Sequence, residues 1–565
     1  MRINCSASVL RSVVSLALVV ALVAASETSA QRSAVDTYAI TNARIVVGAG
    51  PVIERGTVVI RNGLIASIGP NVAVPADARV IDGTGLTVYP GFIDSNTTFA
   101  IPTPTPASTS GAASANPFAA FLGPRTPPSA VSPNSTQPPG LQPEILAADI
   151  IRPGGEQIEA ARSAGITAAL TAPRGQIFPG QSAFINLAGD TPQQMIVRSP
   201  VALHVGFAPL GTGGYPGSLM GVFASIRQML FDAGRYREAN AIYERNPRGV
   251  RRPEQDKSLA ALLPVLARQM PIVMQAETER EINRALDLAH EFNLRAVIAG
   301  GTEAWKVASR LREMKVPVLL SLNFPRRTTA QMAEAETETL RTLRERAEAP
   351  KTAARLLAAG VTFAFQSGAM TNLNDYLANA TKAIENGLAR DEGVRALTIR
   401  PAEILGVADR LGTIETGKIA NLTVTRGDIF TRDRRITHVF IDGRPVDLKP
   451  ATTPSPAGAT ATTIGGTWAL SVSTDVPEQA EVSITLTLEQ QGERVSGSIQ
   501  GPLGSNPIAN ASLGAGGEIR FTVPVTIAGQ TNEATFNGTV AGNAMRGTVQ
   551  IVGRTPGSFT GTRPQ

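Results

Sequence analysis

Histidine is scarce in this 565-residue chain, which contains only His204, His290 and His438. No two of them share a ligand spacing, so the sequence does not encode a centre built on paired imidazoles. Cysteine is scarcer still. Cys5 is the single thiol and precedes an apolar stretch from Ser12 to Ala25, which excludes a disulfide framework and a thiolate zinc site for the rest of the chain. No Gly-x-Ser-x-Gly elbow and no Gly-Lys-Ser or Gly-Lys-Thr phosphate cradle occurs. Beyond the N-terminal stretch there is no apolar run long enough to span a bilayer.

What is present begins with a leader. Arg2 and Arg11 flank the start of the apolar stretch, and the small residues Thr28 and Ala30 suit a cleavage point before Gln31. Residues 1–30 therefore read as a signal peptide, with a periplasmic or secreted product and no membrane span after cleavage. Losing Arg2, Arg11 and Glu27 leaves 50 basic against 45 acidic residues, spread without long blocks. That is a solvated surface of mixed sign and gives no footprint for nucleic acid. A mature chain of this length is expected to form two or three domains.

Periodicity divides the chain further. In residues 31–92, apolar residues alternate with turn signals. Asn62-Gly63 between Val58-Val59-Ile60 and Leu64-Ile65-Ala66 predicts a two-residue hairpin, because both turn positions must accept positive φ. Similar strands recur in residues 405–448. Between these flanks, residues 93–404 alternate strand-like runs with helix-like ones, as a parallel α/β barrel requires. The helix-like runs include Gln255 to Gln269, Ala330 to Ala359 and Asn374 to Ala389. Residues 101–143 carry eleven prolines and cannot bury a core. They read as a lid or docking arm anchored by Phe118 and Phe121, or as a tolerated surface insertion. Residues 449–465 form a Pro, Thr and Ala-rich linker. Residues 466–565 alternate at period two with glycine turns, giving an all-β barrel or sandwich similar to lipocalin-like extensions.

The segment Tyr89-Pro90-Gly91-Phe92-Ile93-Asp94-Ser95-Asn96-Thr97-Thr98 resembles the signature Pro-Gly-Phe-Ile-Asp-x-His-x-His that opens the barrel of the amidohydrolase superfamily, in its imidazolonepropionase-like, amidohydrolase-related branch. The resemblance covers roughly residues 36 to 448. It implies a TIM-like (β/α)8 barrel, a flanking β-sandwich shared by the N- and C-terminal segments, and a zinc or other divalent ion held at the C-terminal ends of the barrel strands. In that frame Asn96 and Thr98 occupy the two histidine positions. Gln275, in Pro271-Ile272-Val273-Met274-Gln275-Ala276, stands where another histidine is expected, and Ser367 stands where the catalytic aspartate ends its strand. Asp94 survives as a supporting residue. Asp94, Asn96, Thr98, Gln275 and Ser367 are thus a vestigial pocket, with no catalytic residue and no metal ligand assigned.

Substituting a supporting partner alone costs about 10 to 100-fold in metal affinity or activity. Replacing the ligands themselves is expected to abolish metal-hydroxide chemistry. Oxygen-only coordination of calcium or magnesium by Asp94, Asn96, Thr98 and Gln275 is the weaker alternative. His204 reads as a satisfied structural histidine, His290 as a surface helix residue and His438 as part of a hairpin strand. The favoured function is an exported binding or partner subunit without a cofactor, acting with an intact amidohydrolase relative or a second copy of itself, with a small-molecule ligand also open. The alternative is a hydrolase for non-peptide carbon-nitrogen bonds, acting on a cyclic amide or dipeptide-like substrate through an atypical site.

Overall fold

The computed structural model describes residues 37–102, 137–138, 140–210, 216–325, 339–368, 370 and 372–448, and in the C-terminal region 464–473, 481–491, 494–501, 504–513, 517–527, 530–551 and 557–563. The predicted signal peptide, most of the proline-rich insertion and most of the linker lie outside the described residues. The chain divides into two compact units near residue 450.

The first unit opens with β1 (Thr37–Ile45), β2 (Ile53–Arg61), β3 (Leu64–Gly69), β4 (Ala78–Asp82) and β5 (Leu86–Pro90). Asn62 and Gly63 both take positive φ, 54° and 79°, and join β2 to β3 as the predicted hairpin. Strands from the far end of the unit, β16 (Leu422–Arg426), β17 (Arg435–Ile441) and β18 (Arg444–Pro445), complete one eight-stranded sheet through the antiparallel β5–β16 pair. Its core joins Ile40, Ile45, Val58, Ile60 and Val88 to Leu422, Val424 and Phe440. Pairing across more than 300 residues of chain lets the flanks bracket the barrel between them.

The barrel strands are β6 (Phe92–Thr97), β7 (Ile166–Thr171), β8 (Gly180–Gln181), β9 (Ala183–Asn186), a short edge strand β10 (Ile196–Arg198), β11 (Leu203–Val205), β12 (Ile272–Ala276), β13 (Ala296–Gly300), β14 (Val318–Ser321) and β15 (Phe363–Gln366). β6 and β7 are parallel, and β11 to β15 form a continuous parallel ladder. The segment 180–186 differs from the expected all-parallel barrel. It runs antiparallel to β7 through β9 and antiparallel to β11 through β8, so one of eight staves is reversed in a nearly closed α/β barrel.

Period-two alternation sorts the side chains into two layers. Ile93, Leu170, Val273, Val297, Leu319 and Ala364 cluster together with the helix Ile399–Leu405. Their neighbours Ile272, Met274, Ile298, Leu320, Phe363 and Phe365 pack into the larger core that the surrounding helices cover. The sequence analysis placed no helix over Leu219–Arg245, the 27-residue helix that precedes β12. Its buried residues, Val222, Ser225, Ile226, Met229, Leu230 and Ala233, all lie between Leu219 and Ala233, so the rest of the helix carries no apolar stripe for a sequence to reveal. The expected single helix from Ala330 to Ala359 is instead two, Leu340–Glu348 and Thr352–Ala358, separated by a 3-10 turn at Ala349–Lys351. Pro350 cannot continue an α-helical hydrogen-bond ladder.

The second unit is all β: β19 (Gly466–Ser473), β20 (Glu481–Gln491), β21 (Arg494–Gly501), β22 (Gly504–Pro507), β23 (Ala509–Leu513), β24 (Glu518–Ile527), β25 (Gln530–Ala541), β26 (Ala544–Ile551) and β27 (Gly557–Thr562). Antiparallel pairing runs β20-β19-β27-β26-β25-β24-β23-β21, and β21 pairs back onto β20. Of the two expected forms, barrel or sandwich, the ring of pairs makes a barrel. Trp468, Leu470 and Val472 alternate inward along β19 and meet Phe521, Phe536 and Phe559. The Trp468 indole donates to the Ile464 carbonyl at 2.9 Å, and the Arg563 guanidinium lies 5.1 Å from its ring centre while donating to the Gly465 carbonyl.

Gly91 of the barrel-opening motif has a steric reason to be glycine. A Cβ there would lie 2.1 Å from Thr167 Oγ1 and 2.8 Å from Thr167 Cβ, while its own N–H bonds the Asn421 carbonyl at 2.7 Å. Gly91→Ala is expected to cost about 1–3 kcal/mol by overpacking, read as a lower Tm in thermal unfolding. Gly91→Ala combined with Thr167→Ala should recover part of the loss, since only the Cβ contact then remains. A double variant no more stable than Gly91→Ala would locate the cost elsewhere.

Candidate functional site

The two barrel sheets end on β6 and β15, and side chains close the seam between them. Asp94 is fully buried, and its Oδ1 accepts from the Ser367 backbone N–H at 3.0 Å and from the Asn96 N–H at 3.4 Å. Asn96 Nδ2 donates to Gln366 Oε1 at 2.8 Å, Ser95 Oγ donates to the Phe365 carbonyl at 2.7 Å, and Gln366 Nε2 donates to the Leu319 carbonyl at 2.6 Å. The β6–β7 register shifts between Asp94 and Thr97, and bulges of this kind re-aim side chains at barrel rims. Thr98 lies just past the end of β6 and is half-buried. Of the predicted pocket residues, the structure thus brings Asp94, Asn96 and Ser367 together.

Gln275 is exposed on β12 and donates its amide to Glu277 Oε1 at 3.0 Å. Glu277 Oε2 accepts from Thr302 Oγ1 at 2.5 Å and from the Thr302 N–H at 3.4 Å. Burial raises the Glu277 carboxyl above its ordinary range, opposed by the Thr302 bonds. β13 ends in Gly300, φ 102°, where a Cβ would sit 2.3 Å from Glu277 Oε1, so the bare backbone makes the space this carboxylate uses. Glu277 is a site residue beyond those expected from the sequence, and its two-residue offset from Gln275, which puts both on one face of an extended strand, is the signal for it.

Arg174, in the loop after β7, is the centre of the site's electrostatics and is likewise beyond those expected from the sequence. It is exposed, and its Nη2 donates to the Asn96 carbonyl at 2.9 Å. Desolvation lowers its pKa, while the charges of Asp94 and then Glu277 raise it. Asp94 is pushed up to about 6, mainly by burial, against the Ser367 and Asn96 hydrogen bonds and the Arg174 charge. Tyr376, whose hydroxyl donates to the Phe365 carbonyl at 3.2 Å, is held well above the ordinary phenol range by burial and the Asp94 charge.

His204 corrects an expectation. It is buried in β11, but its Nε2 has no hydrogen-bond partner, so it is not the satisfied structural histidine that was expected. Burial, and then the Arg174 charge, push it down to about 3, which keeps the ring neutral at physiological pH. His290 is exposed on the helix Glu279–Glu291, and His438 is half-buried in β17.

The residues present do not fit the divalent ion that the resemblance implies. Zinc takes nitrogen, sulfur or carboxylate ligands. Here the strand end offers Asn96, whose Nδ2 is tied to Gln366 and whose Oδ1 is an uncharged amide oxygen, and Gln275 donates its amide to Glu277. The guanidinium of Arg174 adds a fixed positive charge beside the same residues. Among the described residues, no group of three or more His, Cys, Asp or Glu is placed to hold a metal.

The Asp94 environment makes a pH prediction. Its folded pKa of about 6 lies above the ordinary 3.8, so between these values the folded chain holds a proton that the unfolded chain releases. The stability this group contributes is full below about pH 4 and is lost as pH rises through about 6. Asp94→Asn keeps an Oδ1 acceptor for the Ser367 N–H. It is expected to be more stable than wild type at neutral pH by on the order of 1–3 kcal/mol, with the gap closing toward pH 4. Parallel Tm profiles for the two proteins would refute this.

Comparison with known proteins bears on the same region. Residues 276–446 match the profile described as the amidohydrolase family. The chain is 35% identical over 78 residues to N-acetylglucosamine-6-phosphate deacetylase from Haemophilus influenzae, covering 14% of this chain and 19% of that protein. It is 50% identical over 44 residues to dihydroorotase from Mycobacterium tuberculosis, covering 8% of this chain and 10% of that one. The alignments therefore span about a fifth or less of these curated relatives. The crystal structure of an amidohydrolase from Thermotoga maritima superposes with a TM-score of 0.59 at 25% identity, over 73% of this chain and 100% of that one. Sequence profile, barrel architecture and flanking sheet agree in their likeness to the amidohydrolase family.

Proposed function

We propose that this protein is an exported, metal-independent member of its superfamily whose barrel mouth binds a small molecule without hydrolysing it, and that it works as a partner subunit for an intact relative or for a second copy of itself. The observation that carries this reading is the Asn96–Gln366 side-chain bond beside the Asp94–Ser367 contact. Neutral hydrogen-bonding groups knit β6 to β15 at the strand ends where the family would place imidazoles and an aspartate. The neutral His204 leaves no imidazolium for acid catalysis at physiological pH. Exposed Gln275 and Arg174 offer amide and guanidinium donors to a ligand at the rim. The second unit, a small β barrel with a filled interior, is assigned here to binding a partner or glycan with its outer surface.

A second reading has its own support. Asp94 and Glu277 are two carboxyls raised by burial at one barrel mouth, and perturbed acids in such a place are candidates for acid-base work. The relatives named deacetylase and dihydroorotase make a carbon-nitrogen hydrolase the activity to set against binding.

Elemental analysis of the mature protein, after equilibration with trace zinc, manganese and calcium and then dialysis, separates the readings when run beside an assay on N-acyl, cyclic amide and dipeptide substrates. The binding reading expects substoichiometric metal and no turnover with or without added zinc. Turnover lost in Asp94→Asn would establish the hydrolase. About one retained ion per chain would reveal a ligand set that the geometry does not assemble.

A further inference from the structure

Three buried polar atoms at the barrel mouth lack hydrogen-bond partners: Asp94 Oδ2, Asn96 Oδ1 and His204 Nε2. Their residues are almost wholly buried, with 0%, 2% and 7% of their surface exposed. Leaving buried polar atoms unpaired costs free energy, so their coincidence in one place calls for a reason. What they share is Arg174. Its guanidinium donates to the Asn96 carbonyl two residues from Asp94, the Asp94 charge favours its charged form through space, and its own charge acts on His204. Glu277, on the other side of the mouth, is its second acidic neighbour. The cluster therefore has two carboxylates, one neutral imidazole and one cation, and that cation belongs to the protein.

We propose that the Arg174 guanidinium is the resident cation of this barrel mouth, serving as counter-charge to Asp94 and Glu277 where the superfamily would use a divalent ion, and excluding such an ion. The proposal rests on the metal-independent reading above and supplies its physical cause. A guanidinium stays charged in any protein environment and presents five N–H donors in a planar fork. One donor holds the Asn96 carbonyl, which places the charge at the strand end that carries Asp94. His204, kept neutral beside this charge, brings no competing cation. A divalent ion placed here would meet like-charge repulsion at short range in a partly desolvated site, where it is weakly screened.

The test uses the full mature chain as wild type, Arg174→Ala, Arg174→Lys, Asp94→Asn and the double variant Asp94→Asn/Arg174→Ala. Tm is measured at neutral pH with chelator and with millimolar manganese, and manganese binding is measured by equilibrium dialysis. Wild type and Arg174→Lys are expected to show no Tm response to manganese. Arg174→Ala should melt lower with chelator, recover Tm with manganese, and bind that ion about tenfold more tightly than wild type, a change of the size that supporting groups impose on metal sites. The double variant should exceed Arg174→Ala in Tm by more than Asp94→Asn exceeds wild type, and lose the manganese response. Should Arg174→Ala fail to fold, Arg174→Gln, which keeps the bulk without the charge, replaces it in the same comparison. The proposal is overturned if Arg174→Ala matches wild type in Tm and manganese binding, or if the double variant is merely additive. Retention of an ion by wild type itself would instead overturn the metal-independent reading.

Discussion

The hydrogen-bonded seam between the first and last barrel strands is the constraint on which the rest of this site depends. A barrel must close, and here β6 and β15 meet through Asp94, Ser95 and Asn96 on one side and Phe365, Gln366 and Ser367 on the other. Every group in the seam is neutral except Asp94, which is fully buried and raised to about 6. A closure of this kind is directional and short-ranged. It locks the strand ends together with amide and hydroxyl groups.

From that seam the electrostatics of the mouth follow. A buried carboxylate needs a partner or it takes up a proton. The nearby cation is Arg174, carried by the loop after β7, on which the charges of Asp94 and Glu277 act through space, and whose charge adds to the burial that lowers His204. Glu277 in turn depends on Gly300, whose missing side chain gives its carboxylate room, and on Thr302, which donates to it. Residues from five different strands or strand ends thus share one charge balance, so substitutions among them should not act independently.

How legible this was from the sequence differs from part to part. The barrel strands stood out because buried β-branched and leucine runs bounded by turns have few other readings, and the Asn62-Gly63 hairpin because its backbone demands those residues. The reversed stave at 180–186 was not legible: Gly180 to Asn186 is short and buried along its length, and nothing in such a run states its direction. The long helix Leu219–Arg245 buries no residue after Ala233 and there lacks the apolar stripe that marks a helix.

The pocket was legible in its losses and not in its replacements. The sequence by itself determined that Asn96 and Thr98 stand where the resemblance puts a histidine pair, and that histidine occurs only at 204, 290 and 438, because residue identity is read without reference to geometry. Only the tertiary structure decided that Ser367 would turn its N–H to Asp94, 273 positions away, and that Gln366 would take the Asn96 amide. It alone showed that His204 would be buried without a partner beside Arg174. Those contacts join segments far apart in the chain, and no local periodicity encodes which strand ends a closing barrel will press together.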